Sequence, residues 1–217
     1  MPPLIQILKK PPEVPPVIAE RLRQYAFARK GTGACDFCGA GIEEAHGHLV
    51  DLPRRRLLCV CRPCYLLFTQ DGAGGARFRA VPTRFAVVPE FGSREEAWGA
   101  LDLPIGLAFF FKSSATGRTT AFYPSPAGAT ESELPLESWE ALTRRAPLLA
   151  TLTADVEALL VRRASTGTTA IIVPIDICYE LVGVIRVVWR GLQGGDGLSP
   201  AVDEFFARVI ERAEARA

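Results

Sequence analysis

Five of the chain's six cysteines lie close together, in an arrangement that few folds use. They form two Cys-x2-Cys pairs, Cys35 with Cys38 and Cys61 with Cys64, separated by 22 residues, and Cys59 precedes the second pair. Each Cys-x2-Cys turn directs two sulfurs toward one ion, and two such turns supply the four thiolates of a structural zinc site. The spacing therefore predicts a small zinc ribbon with its cysteine turns on neighbouring β-hairpins.

Three further residues leave the ligand set and the metal open. Cys59 offers a spare thiolate, so an iron–sulfur cluster is the competing cofactor, although a buried apolar position in a strand over 56–60 is the simpler interpretation of this residue. His46 and His48 are the only histidines. Either can replace a thiolate as a ligand, but a polar pair on the solvent face of a ribbon strand is the plainer expectation.

The start of the chain indicates the compartment. The opening residues, MPPLIQ, show no charged and then apolar signal peptide, and no apolar run approaches the ~20 residues that span a bilayer. Disulfides form in oxidising compartments, so a disulfide framework is disfavoured. We expect a cytoplasmic protein with no membrane insertion.

Charge is balanced overall but uneven along the chain. The 217 residues carry a formal net charge of +1, which excludes a generally basic nucleic-acid binder. Between residues 51 and 84, however, seven arginines face two aspartates. We interpret this excess as a docking surface for a partner. The seven are Arg54, Arg55, Arg56, Arg62, Arg77, Arg79 and Arg84.

Composition and patterning divide the chain into four parts. Residues 1–30 form a proline-rich arm and a short helix, residues 31–88 the zinc-ribbon-like module, residues 89–103 a connection with one helical turn, and residues 104–217 an α+β domain. Within the module, residues 78–88 alternate enough for an edge strand or an extended cover.

The predicted α+β domain is an antiparallel sheet of three to four strands covered by about three helices. Aromatic and β-branched runs at 107–112 and 118–123 predict a hairpin, and the apolar run 168–173 predicts a central strand. Residues 124–130, which are rich in small residues, predict a loop. Helices are expected around Trp139, from Thr153 as N-cap, from Pro174, and from Ser199.

No residues predict catalysis. The two histidines lie in the ribbon, away from any candidate nucleophile, and Cys178 falls on the apolar face of a predicted helix, where a thiol is inert. Arg186 and Arg190, one helical turn apart, are candidates for binding an anion, although a charged stripe flanking a buried Trp189 is the plainer interpretation. We therefore expect a protein that is not an enzyme.

Several stretches resemble an uncharacterised bacterial family whose genes lie beside those of uptake [NiFe] hydrogenases and their maturation factors. In that family, Cys59 stands alongside Cys61 and Cys64, which leaves open whether Cys59 or Cys61 binds the metal. The stretches are FCG at 37–39, HLVDL at 48–52, LCVCRPCYLLF at 58–68, LAFFF at 107–111, FYPSPAGATE at 122–131, VPID at 173–176, CYELVG at 178–183 and WRG at 189–191.

The resemblance implies a zinc-binding accessory protein whose partner is a hydrogenase subunit or a maturation factor. Two alternatives follow from the residues themselves. One is a nucleic-acid-binding regulator that uses the arginines of the ribbon, and the other is an iron–sulfur or redox carrier in which Cys59 is a ligand.

Overall fold

A computed structural model describes residues 33–70, 72–91, 106–125, 128–133, 136–164, 167–190 and 197–215. The predicted arm and short helix, and the helical turn expected in the connection, lie outside the described residues. None of the helices in these ranges is both long enough and apolar enough to cross a bilayer.

The cysteine-rich segment folds as a small antiparallel sheet and a short helix. Strands β1 (Gly47–Asp51) and β2 (Arg56–Val60) form a hairpin, and β3 (Phe78–Ala80) pairs with the other edge of β1. Helix α1 (Arg62–Leu66) follows β2 directly. A small core lies on one face of this sheet, and its buried members are Cys35, Leu49, Leu58, Val60, Cys64 and Phe68. We call this unit the ribbon.

A larger, six-stranded antiparallel sheet follows, with strand order β4-β9-β8-β5-β6-β7. The α+β class and the antiparallel pairing are confirmed, as is the predicted hairpin, but the sheet has more strands than the three to four expected. Its strands are β4 (Ala86–Val87), β5 (Leu107–Lys112), β6 (Thr119–Ser125), β7 (Gly128–Glu133), β8 (Glu157–Ala164) and β9 (Gly167–Pro174).

The helix predicted from Thr153 is wrong, because this segment forms strand β8. Asp155 adopts a left-handed backbone with φ of 69°, which ends any helical start. Apolar residues then alternate between two cores, with Leu160 on one face of the sheet and Leu159 on the other. A strand buried on both faces has a continuous apolar run, and such a run also satisfies helical spacing.

The loop predicted for residues 124–130 is also wrong in most of its length. Strand β6 continues to Ser125 and β7 begins at Gly128, with these two residues opposite each other. The small residues of this segment are typical of a loop, but β6 and β7 stay paired almost to the turn that joins them.

Three helices cover the large sheet, as expected. Helix α2 (Leu136–Arg145) packs on one face, and α3 (Ile175–Val188) and α4 (Leu198–Glu214) pack on the other. Helix α3 begins after Pro174, which is its N-cap rather than its first residue. Helix α4 likewise begins at Leu198, just before the Ser199 cap that the sequence predicts.

The ribbon lies against the large sheet through apolar and charged contacts. Val50 and Leu57 pack against the core beneath α3 and α4. From β3, Arg79 donates to the Ala154 carbonyl at 3.0 Å and contacts the buried Asp155 carboxylate at 3.3 Å. Arg84 Nε forms an ion pair with Glu157 at 3.1 Å without hydrogen-bond alignment. These contacts join the ribbon and the segment that follows β3 to residues 154–157, at the start of β8.

Candidate metal centre

The first cysteine turn, residues 35–38, is shaped by main-chain hydrogen bonds. The Gly39 amide donates to the Cys35 carbonyl at 2.9 Å, and the Phe37 amide points to the Cys35 sulfur at 3.4 Å. Gly39 has φ of 75°, the left-handed conformation that glycine adopts without steric cost. The two sulfurs are thereby directed to the same side of the turn.

The second cysteine turn, residues 61–64, is a strand-to-helix turn rather than part of a hairpin, which corrects the sequence prediction. Cys61 is the N-cap residue of α1, and the Tyr65 amide donates to its carbonyl at 2.9 Å. Pro63 lies in the first turn of α1, where its missing amide hydrogen costs nothing. Cys64 is buried inside this short helix.

Asp36 joins the two turns. Its carboxylate accepts a hydrogen bond from the Cys59 amide at 2.8 Å, and its own amide donates to the Cys59 carbonyl at 2.9 Å. The first turn is therefore attached to the strand that leads into the second. Sequence reasoning did not single out Asp36, because nothing local indicates which backbone a turn carboxylate will bind.

The four sulfurs of Cys35, Cys38, Cys61 and Cys64 lie within 4.8 Å of one another. We call them the four-cysteine cluster. The sulfurs of Cys38 and Cys61 are 3.6 Å apart, close to the edge of about 3.8 Å that a tetrahedron with zinc–sulfur bonds of ~2.3 Å would have. None of the cysteines in the described residues forms a disulfide. The cluster can therefore hold a metal ion.

Electrostatics of the cluster favours a cation. Burial and, to a smaller extent, the neighbouring sulfurs of Cys38, Cys61 and Cys35 together raise the pKa of Cys64 to about 12. Burial also opposes ionisation of Cys35, but amide hydrogens of Cys61, Cys38 and Phe37 outweigh it and lower its pKa to about 6. Four adjacent thiolates repel one another, and a divalent cation removes that repulsion.

A second group of possible ligands lies on the opposite face of the ribbon sheet. His46, His48 and Cys59 have ligand atoms within 4.8 Å of one another, and we call them the histidine–cysteine cluster. His48 and Cys59 are directly opposite in the β1–β2 pairing. The sequence left open whether Cys59 or Cys61 lies with the other three cysteines. In the structure, Cys61 belongs to the four-cysteine cluster and Cys59 to the histidine–cysteine cluster.

The expected surroundings of Cys59 and of the histidines were wrong. Cys59 does lie in β2, but it is only half-buried and faces the histidines, whereas its neighbours Leu58 and Val60 fill the ribbon core. The histidines do not face open solvent, because His48 Nδ1 lies 2.8 Å from the Asp176 carboxylate at the start of α3. Asp176 is 128 residues away along the chain, so no local signal could have revealed this contact.

Gly47, between the two histidines, lies against the ring of Tyr65. A Cβ atom at this position would be 2.6 Å from Tyr65 Cδ2, so the ring would have to move and its hydroxyl would lose the bond to the Val81 carbonyl, now 2.9 Å. We expect Gly47→Ala to lower the free energy of unfolding by about 1–3 kcal/mol, measured by denaturant unfolding. Gly41→Ala, with open space around its Cβ, is the control and should change it by less than about 0.5 kcal/mol. Equal effects would contradict this account.

The arginine-rich segment is not a surface of unpaired charge. Asp51, which is 2% exposed, pairs with Arg77 at 3.0 Å and Arg54 at 3.4 Å. Arg56 pairs with Asp36 at 3.4 Å, and Arg79 and Arg84 contact the large sheet as described above. Five of the seven arginines thus form ion pairs, which weakens the case for nucleic-acid binding. Arg55, at φ of 48°, occupies the tight β1–β2 turn.

Because of the Asp51–Arg77 pair, the free energy of unfolding should fall when the pH becomes acidic enough to protonate Asp51. The hydrogen bond from Arg77 lowers the pKa of Asp51, burial opposes this change, and the charges of Arg77 and Arg54 add to the lowering. The pair therefore stabilises the fold above about pH 4 and loses its effect as pH falls through the lowered pKa. Asp51→Asn should be less stable than the wild type at pH 7, by about 1–3 kcal/mol, and the gap should close below pH 4. A gap independent of pH in denaturant unfolding would refute this.

The described contacts place the remaining candidates outside both clusters. Arg190 donates to the Val187 and Trp189 carbonyls at the end of α3, at 2.9 Å each, and Arg186 is exposed one turn earlier. Neither faces the clusters in the described contacts. Cys178 is buried in α3, and burial raises the pKa of its thiol far above the ordinary value, as an inert thiol requires.

Fold and site together define an α+β protein with a small ribbon that carries a cluster of four cysteines able to hold a metal ion. The chain belongs to the family of unknown function DUF5947, whose match covers residues 34–213. No curated protein and no solved structure was found to match the chain. The family match includes all four cysteines and the whole described part of the large sheet.

Proposed function

We propose that the four-cysteine cluster binds one structural zinc ion and that the protein acts without catalysis, as an accessory that binds another protein. The observation that carries this proposal is the convergence of four sulfurs within 4.8 Å. A set of four thiolates with two buried members is typical of closed structural zinc sites, which keep no position for substrate.

The distance between sulfurs favours a single ion over an iron–sulfur cluster. An iron–sulfur cluster spreads its cysteine ligands over two or more irons, whereas all four cysteine sulfurs here lie within 4.8 Å of one another, as around one ion. Cys59, the spare thiolate of the iron–sulfur interpretation, faces the histidines instead.

Metal analysis of the purified full-length chain tests this half of the proposal. Cys38→Ser should lose the zinc equivalent that the wild type binds most tightly, and X-ray absorption of the wild type with one equivalent bound should show a four-sulfur shell. Iron with visible charge-transfer absorption in anaerobically purified protein would refute the zinc assignment.

The proposed partner is a hydrogenase subunit or maturation factor, and the resemblance of the ribbon and α3 stretches supports it. Three exposed apolar side chains lie on the segments that carry the ligands. Phe37 is 44% exposed within the first cysteine turn, and Leu66 and Leu67, which follow Cys64, are 50% and 66% exposed. Exposed apolar side chains of this kind are suited to the buried centre of a protein interface.

Leu66→Glu with Leu67→Glu should weaken partner binding without unfolding the ribbon. A charge at the centre of an apolar interface is expected to cost a factor of about 10 or more in affinity, whereas exposed positions tolerate such changes within about 0.5 kcal/mol of stability. The measurement is co-purification of [NiFe]-hydrogenase subunits and maturation factors with the tagged chain, together with zinc content.

The control for this experiment is Val187→Glu, which introduces the same charge at an apolar residue of α3 that is 69% exposed. It should leave co-purification unchanged. If no hydrogenase protein co-purifies with the wild type, the partner is wrong although the zinc site can stand. If the Leu66/Leu67 double variant and Val187→Glu both co-purify with the partner as the wild type does, these leucines do not contact the partner.

A further inference from the structure

The histidine–cysteine cluster has the donor set and the supporting contacts of a metal site of its own. Its three members are half-buried, offer one nitrogen or sulfur each, and lie within 4.8 Å of one another. Two come from β1 and the residue before it, and the third from the opposite position on β2. This antiparallel pairing holds His48 and Cys59 at one height on the sheet.

The hydrogen bonds of His46 determine which nitrogen is available. Its Nδ1 lies 2.8 Å from the Glu43 carbonyl oxygen and 3.0 Å from that of Glu44. Carbonyl oxygens only accept hydrogen bonds, so Nδ1 carries the hydrogen and Nε2 has the free lone pair. His46 Nε2 is buried and has no hydrogen-bond partner among the residues that the structure describes. A buried nitrogen of this kind costs free energy unless a ligand binds it.

His48 is oriented in the same manner by a carboxylate. Its Nδ1 lies 2.8 Å from Asp176 Oδ2, and Asp176 also accepts a hydrogen bond from the Ile177 amide at 2.9 Å through its other oxygen. A carboxylate that holds the far nitrogen of a ligating histidine is a recurrent outer contact of metal sites. This contact directs His48 Nε2 toward the side of the sheet that carries Cys59.

We propose that His46, His48 and Cys59 form a second metal site, which binds one divalent cation of borderline softness, such as Zn²⁺, through His46 Nε2, His48 Nε2 and the Cys59 thiolate. Two imidazoles and one thiolate suit such cations, whereas Mg²⁺ and Ca²⁺ prefer oxygen ligands. With three protein ligands, the fourth position is open to water or to an exogenous ligand.

This site shares no ligand with the four-cysteine cluster, but it lies on β1 and β2 and so rests on the proposed structural zinc that keeps the ribbon folded. The second site has one thiolate where the four-cysteine cluster has four, so it carries less negative charge. Its three residues are all partly exposed, whereas two of the four cysteines are buried. The second site should therefore bind metal more weakly and exchange it faster. Asp176 is a positioning residue that acts through His48.

Zinc titration of the full-length chain, with a chromophoric chelator as competitor, tests the proposal. The wild type should bind two equivalents, one of which is removed first by the chelator. His46→Gln and Cys59→Ser should each bind one equivalent. Asp176→Asn should still bind two, with the weaker affinity lowered about 10–100-fold. One equivalent in the saturated wild type, unchanged in His46→Gln, would overturn the proposal.

Cobalt separates this site from the four-cysteine cluster. Co²⁺ added to protein that holds one tightly bound zinc should give a thiolate charge-transfer band, which is absent in Cys59→Ser and retained in Cys178→Ala. Failure of the structural zinc proposal appears differently, as a tight equivalent that survives Cys38→Ser. The absence of cobalt uptake by the wild type would count against the second site alone.

Discussion

Replacing Cys38 with serine, or removing zinc with a strong chelator, should unfold the ribbon and leave the large sheet folded. Among the described residues the ribbon core has six buried members, and small units with so little apolar burial usually need a metal or disulfides to fold. Metal binding supplies about 10–16 kcal/mol of apparent free energy in zinc-finger peptides, and in such units this is folding free energy.

Amide hydrogen exchange measures this effect element by element. Protection of β1 and β2 should fall toward that of an unfolded chain, while β8 and β9 keep theirs because their residues belong to two other cores. Zinc affinity should fall by more than about 100-fold, since even substitutions outside the ligand shell cost 10–100-fold.

The matched control for Cys38→Ser is Cys178→Ala, which removes a thiol that is buried in α3 and lies outside both clusters. It should keep zinc and the protection of β1 and β2, although the lost packing lowers overall stability. Protection of the ribbon that stays the same in the zinc-free wild type would show that the ion is not what holds this unit together.

The cysteine spacing predicted which sulfurs converge, because the geometry of each Cys-x2-Cys turn is set locally. A Cys-x2-Cys turn fixes the relative position of its own two sulfurs, so only the meeting of two turns remained to be predicted. The choice between Cys59 and Cys61 was not accessible in this way. It depends on strand register, which places Cys59 opposite His48 and leaves Cys61 at the start of α1.

Ambiguous hydrophobic periodicity was the main source of error in predicting the large sheet from the sequence. Residues 156–161 have apolar side chains at every position except Glu157, and a strand between two cores needs that pattern as much as a buried helix does. The hairpin of β5 and β6 was predictable, since its strands are aromatic and its turn is rich in small residues. The contact between His48 and Asp176 was not, because it depends on how the ribbon lies against α3.

Replacing Phe110 with alanine should lower the free energy of unfolding of the large sheet by about 3–5 kcal/mol. Phe110 is fully buried, and its ring centroid lies 6.2 Å from that of Trp139 on α2. The loss should lower the melting temperature by about 10 °C. Lys112→Ala, at an exposed position on the same strand, is the control and should change stability by less than about 0.5 kcal/mol.

The Phe110 variant also tests whether ribbon and sheet unfold together. The ribbon touches the core on the other face of the sheet through Val50 and Leu57, whereas Phe110 lies in the core under α2. Because the ribbon has its own core and its proposed ion, zinc should stay bound after the sheet of Phe110→Ala has melted. Calorimetry followed together with release of zinc to a chromophoric chelator measures both events. Release that coincides with melting of the sheet would mean that the contacts of Arg79 with residues 154–155 and of His48 with Asp176, and not the ion, decide when the ribbon unfolds.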